Sequence, residues 1–153
     1  MMLLGAHLTL MMGPVVAVPV PVTLSEALAS VEITTADRGR SGFQLQFQVG
    51  RAGALDLVDH ALLMHPLLRP FNRVVVVMRF ELLPQVLMDG VITQITLTPS
   101  EEPGASTLTV TGEDVSLMMD LTQIRMPYPA MTENAIAMLI IAKYAMYGLV
   151  PMV

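Results

Sequence analysis

The sequence predicts a mainly β protein with some α-helix: a small antiparallel β-barrel, one short helix and a carboxyl-terminal helix. Three observations support this fold class. The stretch SGFQLQFQVG, residues 41–50, alternates large apolar residues with glutamine, and a period of two is typical of a strand with one buried face. Short β-branched runs separated by polar turns recur through the middle of the chain. Residues 133–147 instead carry apolar side chains at helical spacing.

The strands are predicted in chain order, each from its alternation or its β-branched content. Residues 15–22 are β-branched but contain prolines, so we expect an edge strand, because each proline removes a ladder donor. Residues 36–42, ADRGRSG, are predicted to form a charged hairpin loop. Asp89 and Gly90 are expected at a bulge or tight bend. The other predicted strands cover residues 28–35, 41–50, 73–83, 86–98 and 107–112.

Two helices are predicted, a short one at Leu55–Met64 and a longer one at Glu133–Tyr147. The longer helix has Thr132 as its N-cap and ends at Gly148. One stripe of this helix is expected to be buried, because it follows the i, i+3, i+4, i+8 pattern; its members are Ile136, Leu139, Ile140 and Tyr144.

The composition indicates a protein that needs partners. Of 153 residues, 54% are hydrophobic and only 14% are charged, against about 25% charged in an ordinary soluble domain. The net charge of −5 comes without a basic stripe, so nucleic-acid binding is not expected. The chain has no cysteine, which excludes disulfides and thiolate metal sites.

The chain divides into three predicted parts: an apolar segment at residues 1–13, a β-barrel domain at 14–127, and a helical end at 128–153 that could begin a following domain. The first segment, MMLLGAHLTLMMG, lacks a preceding basic residue and a cleavage pattern, so it is not predicted to be a signal peptide. Prolines interrupt the most apolar region, so no membrane-spanning helix is expected.

No catalytic constellation is evident, and the sequence predicts neither an enzyme nor a metal or cofactor site. Asp56 and His60 are spaced i, i+4, as metal ligands can be, but two ligands do not make a site, and a surface or capping histidine is expected instead. Glu113 and Asp114 are adjacent and therefore point to different faces. Their position suits the end of a strand and the start of a helix.

An ordered set of motifs carries a family resemblance. Residues 89–93 read DGVIT, residues 108–114 read LTVTGED, and residues 119–121 read MDL. Tyr128–Pro129 follow, and the last helix closes in YAMYG, residues 144–148. In this order the motifs resemble the first part of the late control D family, the hub proteins of contractile phage tails and related injection systems. The amino-terminal part of type VI spike proteins is similar, and the likeness extends over residues 14–151.

The resemblance implies a tube-like β-barrel domain in a baseplate hub, which forms a ring between the inner tail tube and the central spike. Family hubs are typically trimers whose sheets join those of their neighbours. The resemblance therefore implies a homotrimer that binds the tube protein, the spike and other baseplate proteins, assembled in the cytoplasm into a virion or tail-like particle. The chain carries one barrel where the family continues into a second, so it is either a fragment or acts with separately supplied domains.

Five residues are hypothesised to lie at assembly interfaces. Arg38 and Arg40, in the 36–42 loop, are chosen as contacts to a neighbouring ring, because charges at a hairpin tip can pair across an interface. The amide face of the glutamine strand either lines an aqueous channel, meets a neighbouring subunit or is an ordinary exposed face; its members are Gln44, Gln46 and Gln48.

The apolar termini strengthen the expectation of an obligate subunit, because neighbours would have to cover them. The alternative function is a free-standing ligand-binding β-barrel carrier. That alternative rests on the strand count and on 14 methionines, which make adaptable apolar surfaces.

Overall fold

A computed structural model describes residues 5–49, 62–102 and 104–152. Its centre is one antiparallel sheet of seven strands in the order β2-β1-β5-β6-β7-β4-β3. The strands are β1 (His7–Gly13), β2 (Val18–Pro19), β3 (Leu28–Thr34), β4 (Gly42–Val49), β5 (Arg73–Phe80), β6 (Leu83–Thr98) and β7 (Ser106–Asp114).

Five of the predicted strands are confirmed with small shifts at their ends, and they are β3 to β7. The predicted edge strand is also at an edge but is much shorter, because only Val18–Pro19 pair with β1. Strand β1 was not predicted. It lies inside the sheet between β2 and β5, and it buries Leu10 and Met12, so the chain itself covers part of the apolar amino-terminal segment.

The sheet is open, and the predicted closed barrel is not confirmed. Strands β2 and β3 are its two edges, and among the described residues they do not pair with each other. Closure would need β2 to offer a row of donors to β3. A two-residue strand that contains a proline lacks that row.

The core lies on one face of this sheet. Strand β4 alternates as its sequence predicts, with Phe43, Leu45, Phe47 and Val49 buried. Side chains from β1 (Leu10), β5 (Val76) and β7 (Val110) belong to the same buried cluster. One cluster therefore joins strands from both halves of the sheet, and its burial supplies most of the stabilisation.

Two central glycines allow close packing around the Phe43 ring. A Cβ on Gly112 would lie 2.3 Å from Phe43 Cζ, and one on Gly90 would lie 2.4 Å from the Glu113 carbonyl oxygen. Gly90 is therefore required for close approach rather than for the predicted bulge. The register shifts of β6 fall on either side of it, opposite Val76–Val77 of β5 and at Ile92–Gln94.

Three short helices lie wholly within the described residues: α1 (Val22–Ala27), α2 (Leu117–Asp120) and α3 (Glu133–Ala142). Helix α1 was not predicted; it follows Pro21 and inserts Leu24 into the core. Helix α3 begins where predicted, since the Thr132 side chain accepts from Ala135 N at 3.3 Å, but it ends at Ala142.

A 3₁₀ turn at Ala145–Tyr147 follows α3 and closes at Gly148, which has φ 77°, as expected of a terminating glycine. The predicted helix at Leu55–Met64 lies mostly outside the described residues; Leu62 and Leu63 are helical. No helix in the described ranges has the length and apolarity needed to cross a membrane.

Candidate assembly surfaces

The face of the sheet opposite the core carries a continuous polar surface without charge. In strand order β6, β7, β4, the register brings Gln94, Thr111 and Gln44 into one row, with two further rows beside it. We call the resulting nine residues the polar face: Gln94, Thr96, Thr98, Thr107, Thr109, Thr111, Gln44, Gln46 and Gln48. All nine side chains are neutral amides or hydroxyls, so the predicted glutamine face extends across three strands.

Charge appears only at the margin of the polar face. Glu32 of β3 lies opposite Gln44. Glu113, the last residue but one of β7, lies opposite Gly42 of β4. Between these carboxylates is a depression of about 310 Å³, lined also by Thr34, Thr93 and Gly112. The polar face can therefore hydrogen-bond with water across its width, while the two carboxylates described beside it, Glu32 and Glu113, lie at one end.

The hairpin loop at residues 36–42 is confirmed, but one of its arginines pairs within the chain. Arg40 Nη1 lies 3.2 Å from Glu113 Oε2, and Arg40 Nη2 contacts Asp120. Arg38 is exposed and forms no salt bridge with the described residues. Arg40 thus links the loop to the start of the carboxyl-terminal region, and Arg38 alone keeps a free guanidinium for the hypothesised contact.

The candidate histidine and carboxylate groups form no assembled site where the structure describes them. Asp56 and His60 lie outside the described residues. His65 Nδ1 accepts from Leu67 N at 3.3 Å, a local contact two residues along the chain. Asp114 Oδ1 accepts from Ser116 N at 2.9 Å just before α2, as its strand-end position predicts. Within the described ranges no group of three or more potential metal ligands occurs.

A half-buried ion pair, not predicted from the sequence, ties three parts of the chain together. Arg73 Nε donates to Asp89 Oδ1 at 2.8 Å, and Nη2 donates to the other carboxylate oxygen. Arg73 Nη1 also donates to the Val15 carbonyl at 3.4 Å. A Cβ on Gly148 would lie 3.1 Å from Arg73 Nη2, so the guanidinium also borders the carboxyl-terminal region. The hydrogen bond with Asp89 raises the pKa of Arg73, against the opposing effect of burial.

Helix α3 is apolar but not buried. Eight of the ten residues in ENAIAMLIIA are apolar, and none is buried in the described structure. The predicted buried stripe is therefore wrong for the single chain: Leu139 is 40% exposed, and Ile136, Ile140 and Tyr144 are only half-buried. A helix that is apolar all round normally lies in a protein interior, and the described part of the chain does not provide that interior.

A second apolar surface lies at the end of the β5–β6 hairpin. We call residues 80–87 the tip. The turn residue Leu82 is 89% exposed and the neighbouring Leu83 is 79% exposed. Phe80, Val86 and Leu87 are also exposed. Glu81 adopts φ 55°, a conformation that usually selects glycine or asparagine in hairpin turns.

The tip was missed because the alternation in residues 73–98 indicated two strands without indicating how far they extend. A signal was present: FELLPQVL places apolar residues at a position where hairpin turns are usually polar. The polar face was found only in part, since the threonines of β7 become neighbours of the glutamines of β4 only through the sheet register.

These features define an open antiparallel sheet with a filled inner face, an outer face whose centre is uncharged, and two apolar surfaces that the described residues leave uncovered. A structural comparison finds the same fold in the crystal structure of the tail protein from Neisseria meningitidis MC58, with a TM-score of 0.56 and 15% sequence identity. The match covers 93% of this chain but only 35% of that chain. No family model matches the sequence, and no curated protein matches it.

Proposed function

We propose that this chain is a structural subunit of a phage-tail-like particle, and specifically a tube-like domain of a baseplate hub of the late control D kind. In this role several copies form a ring between the inner tail tube and the central spike. Its partners are further copies of itself, most simply three, together with the tube, spike and other baseplate proteins. Assembly takes place in the cytoplasm, and the mature location is the particle. The proposal includes no catalytic step.

The observation that carries the proposal is the polar face on a sheet that shares its fold with a tail protein. Fold alone does not give function, so the surface has to support it. A channel wall needs side chains that bind water yet do not hold a charged polymer by Coulomb attraction. The polar face meets this need with nine neutral side chains on three adjacent strands.

The exposed apolar side chains support a subunit role. Among the described residues, Leu82 is 89% exposed and Leu83 is 79% exposed in the tip, and no residue of α3 is buried. Contiguous exposed apolar surfaces are typical of protein interfaces.

A ligand-binding carrier is less well supported. In such a carrier the inner face of the sheet encloses a ligand cavity. Here that face is occupied by the chain's own side chains, and Leu45, Phe47 and Ile92 have no exposed surface. The depression at Glu32 and Glu113 is at the margin of the polar face and reaches the core only at Phe43.

The direct test is to image particles from the source cells by negative stain, with gold-labelled antibodies against the chain. Label at one end of tail-like particles is the expected result. Label that is absent from particles, with the chain recovered as a free protein bound to a small molecule, would support the carrier instead.

The channel role has a separate test at the centre of the polar face. Gln46→Lys and Gln46→Glu should leave particle assembly intact but reduce cargo delivery, with an effect that weakens at high salt. Ser100→Lys, in the exposed loop after β6, is the matched control. If both Gln46 variants delivered cargo like the parent, the polar face would not line the passage.

A further inference from the structure

The chain leaves the hydrophobic core at Val115. The Val115 N–H donates to the Asp89 carbonyl at 3.1 Å, and Val115, 5% exposed, is the last buried residue of the chain as described. We call residues 116–152 the arm; it contains α2 and α3. No residue of the arm is buried in the described structure, so the apolar burial that stabilises the sheet ends where the arm begins.

The backbone hydrogen bonds of the arm are local. In α3, Ile136 N donates to the Thr132 carbonyl at 3.0 Å, and after the helix Gly148 N donates to the Ala145 carbonyl at 2.9 Å. At the start of the arm, Met118 N donates to the Val115 carbonyl at 3.1 Å. In the part of the chain that the structure describes, no backbone hydrogen bond joins residues 116–152 to a strand. Moving the arm away from the sheet would therefore break no bond of the described ladder.

An ion pair ties the beginning of the arm to the sheet. Arg40 Nη2 contacts the carboxylate of Asp120 in α2, while Arg40 Nη1 lies 3.2 Å from Glu113 Oε2 in β7. Arg40 therefore bridges the sheet and the arm. The Asp120 side chain is 65% exposed and that of Arg40 is 35% exposed. A bridge with this much solvent contact is weak, and salt screens it.

The far end of the arm meets the sheet at Arg73 through packing. A Cβ on Gly148 would lie 3.1 Å from Arg73 Nη2. Within the described chain, however, the guanidinium donates its hydrogen bonds to Asp89 and to the Val15 carbonyl. Gly148 therefore borders the ion pair without taking part in it, and this contact is not a polar link that would have to break before the arm moves.

The segment between α2 and α3 has the features of a hinge. Every residue from 121 to 131 is exposed except Tyr128, which is half-buried. Ala130 adopts φ 58°, in the left-handed region that is unfavourable for a residue with a Cβ. An exposed connection with strained backbone can change its dihedral angles without disturbing a core, as hinge segments do.

We infer that the arm opens from the sheet as a separate unit while the sheet stays folded, and that the Arg40–Asp120 ion pair limits this opening. A region with little buried surface opens at a free energy well below that of global unfolding. The arm meets this condition, whereas the sheet is held by the buried cluster. Helix α3 can therefore change its position without any loss of the sheet. This inference goes beyond the proposed function and does not depend on it.

Hydrogen exchange measured by mass spectrometry on the intact chain tests the separation of arm and sheet. The comparison is between the parent and Phe47→Ala, which removes a fully buried ring of the core. Peptides from β7 should exchange about 100- to 1,000-fold faster in the variant, while peptides from α3 should exchange at the parent rate. If the rate in α3 rose by the same factor as in β7, the arm would open only when the whole chain unfolds, and the inference would be overturned.

A second comparison tests the role of the ion pair. Asp120→Asn should speed exchange in α3 about two- to fivefold, the range expected for losing an exposed salt bridge, and should leave β7 unchanged. The parent at about 0.5 M salt should behave like this variant. Glu102→Gln, which removes an exposed carboxylate from the loop before β7, is the matched control and should have no effect on α3. Equal α3 rates in the parent and Asp120→Asn would overturn the role given to this pair.

Discussion

The sheet and helix α3 are both rich in apolar residues, but only the sheet buries them within the chain. In β4, polar residues alternate with Phe43, Leu45 and Phe47, and the apolar side faces the core. In α3, apolar residues surround the helix and none is buried. The difference shows that apolar content alone does not place a segment inside its own chain. The apolar residues must also lie on one side of the segment, with polar residues on the side that meets water.

The largest loss of stability is expected from a substitution in the core. Phe47→Ala removes a phenyl ring that has no exposed surface and should lower the free energy of unfolding by about 3–5 kcal/mol. Urea denaturation measures it. Phe80→Ala, at a ring that is 53% exposed in the tip, should cost the monomer less than about 1 kcal/mol. Equal losses would contradict the separation of core from assembly surface.

A smaller loss is expected where the backbone approaches the Phe43 ring. In Gly112→Ala the new Cβ would lie 2.3 Å from both Phe43 Cζ and the Val91 carbonyl oxygen, so the sheet must shift, at about 1–3 kcal/mol. Gly5→Ala is the control, since its Cβ would have no neighbour within 4 Å. Thermal melts of both variants test this, and an unchanged Gly112→Ala melt would contradict the close packing.

The ion pair should contribute less than the close packing, because it is only partly buried. Asp89→Ala leaves Arg73 without its carboxylate and should cost about 1–2 kcal/mol, below the value for a fully buried pair. The pKa of Arg73 is raised in the folded chain, so its stabilisation persists from neutral into alkaline pH and is lost only as pH rises through that pKa. The difference in melting temperature between the parent and Asp89→Ala should therefore be the same at neutral and at moderately alkaline pH.

Helix α3 should show the smallest effect on the monomer. Ile140→Asp should change the free energy of unfolding by less than about 1 kcal/mol, because Ile140 is not buried in the chain. The same variant should prevent association, since a partner would then have to bury an unpaired carboxylate. Sedimentation paired with urea denaturation measures both. A large loss of monomer stability with normal association would show that α3 packs within its own chain rather than against a partner.

Local sequence patterns predicted strands β3 to β7, but they did not predict strand β1 or helix α1. The alternation of β4 was sufficient to assign its buried side chains. Strand β1 carries a similar alternation in Leu8, Leu10 and Met12, but an apolar run at a chain end also fits other structures. Helix α1 has only six residues, too few to show a helical period.

Contacts between distant residues could not be predicted, because they depend on register. Arg73 and Asp89 become diagonal neighbours only when Val75 pairs with Asp89. Arg40 meets Glu113 only because Gly42 pairs with it across β4 and β7. The same limit hid the extent of the polar face, whose rows combine β4 with the β6–β7 hairpin that lies much further along the chain.

The water in front of the polar face should have nearly the ionic composition of the bulk solution. Small ions gather at a protein surface in proportion to its fixed charge, and the centre of this face has none. A polyanion and a basic protein would therefore meet the same environment there, with no counterion layer to displace. If the polar face lines a passage as proposed, it would not discriminate between cargoes by the sign of their charge, and any selection among them would have to occur elsewhere in the assembly.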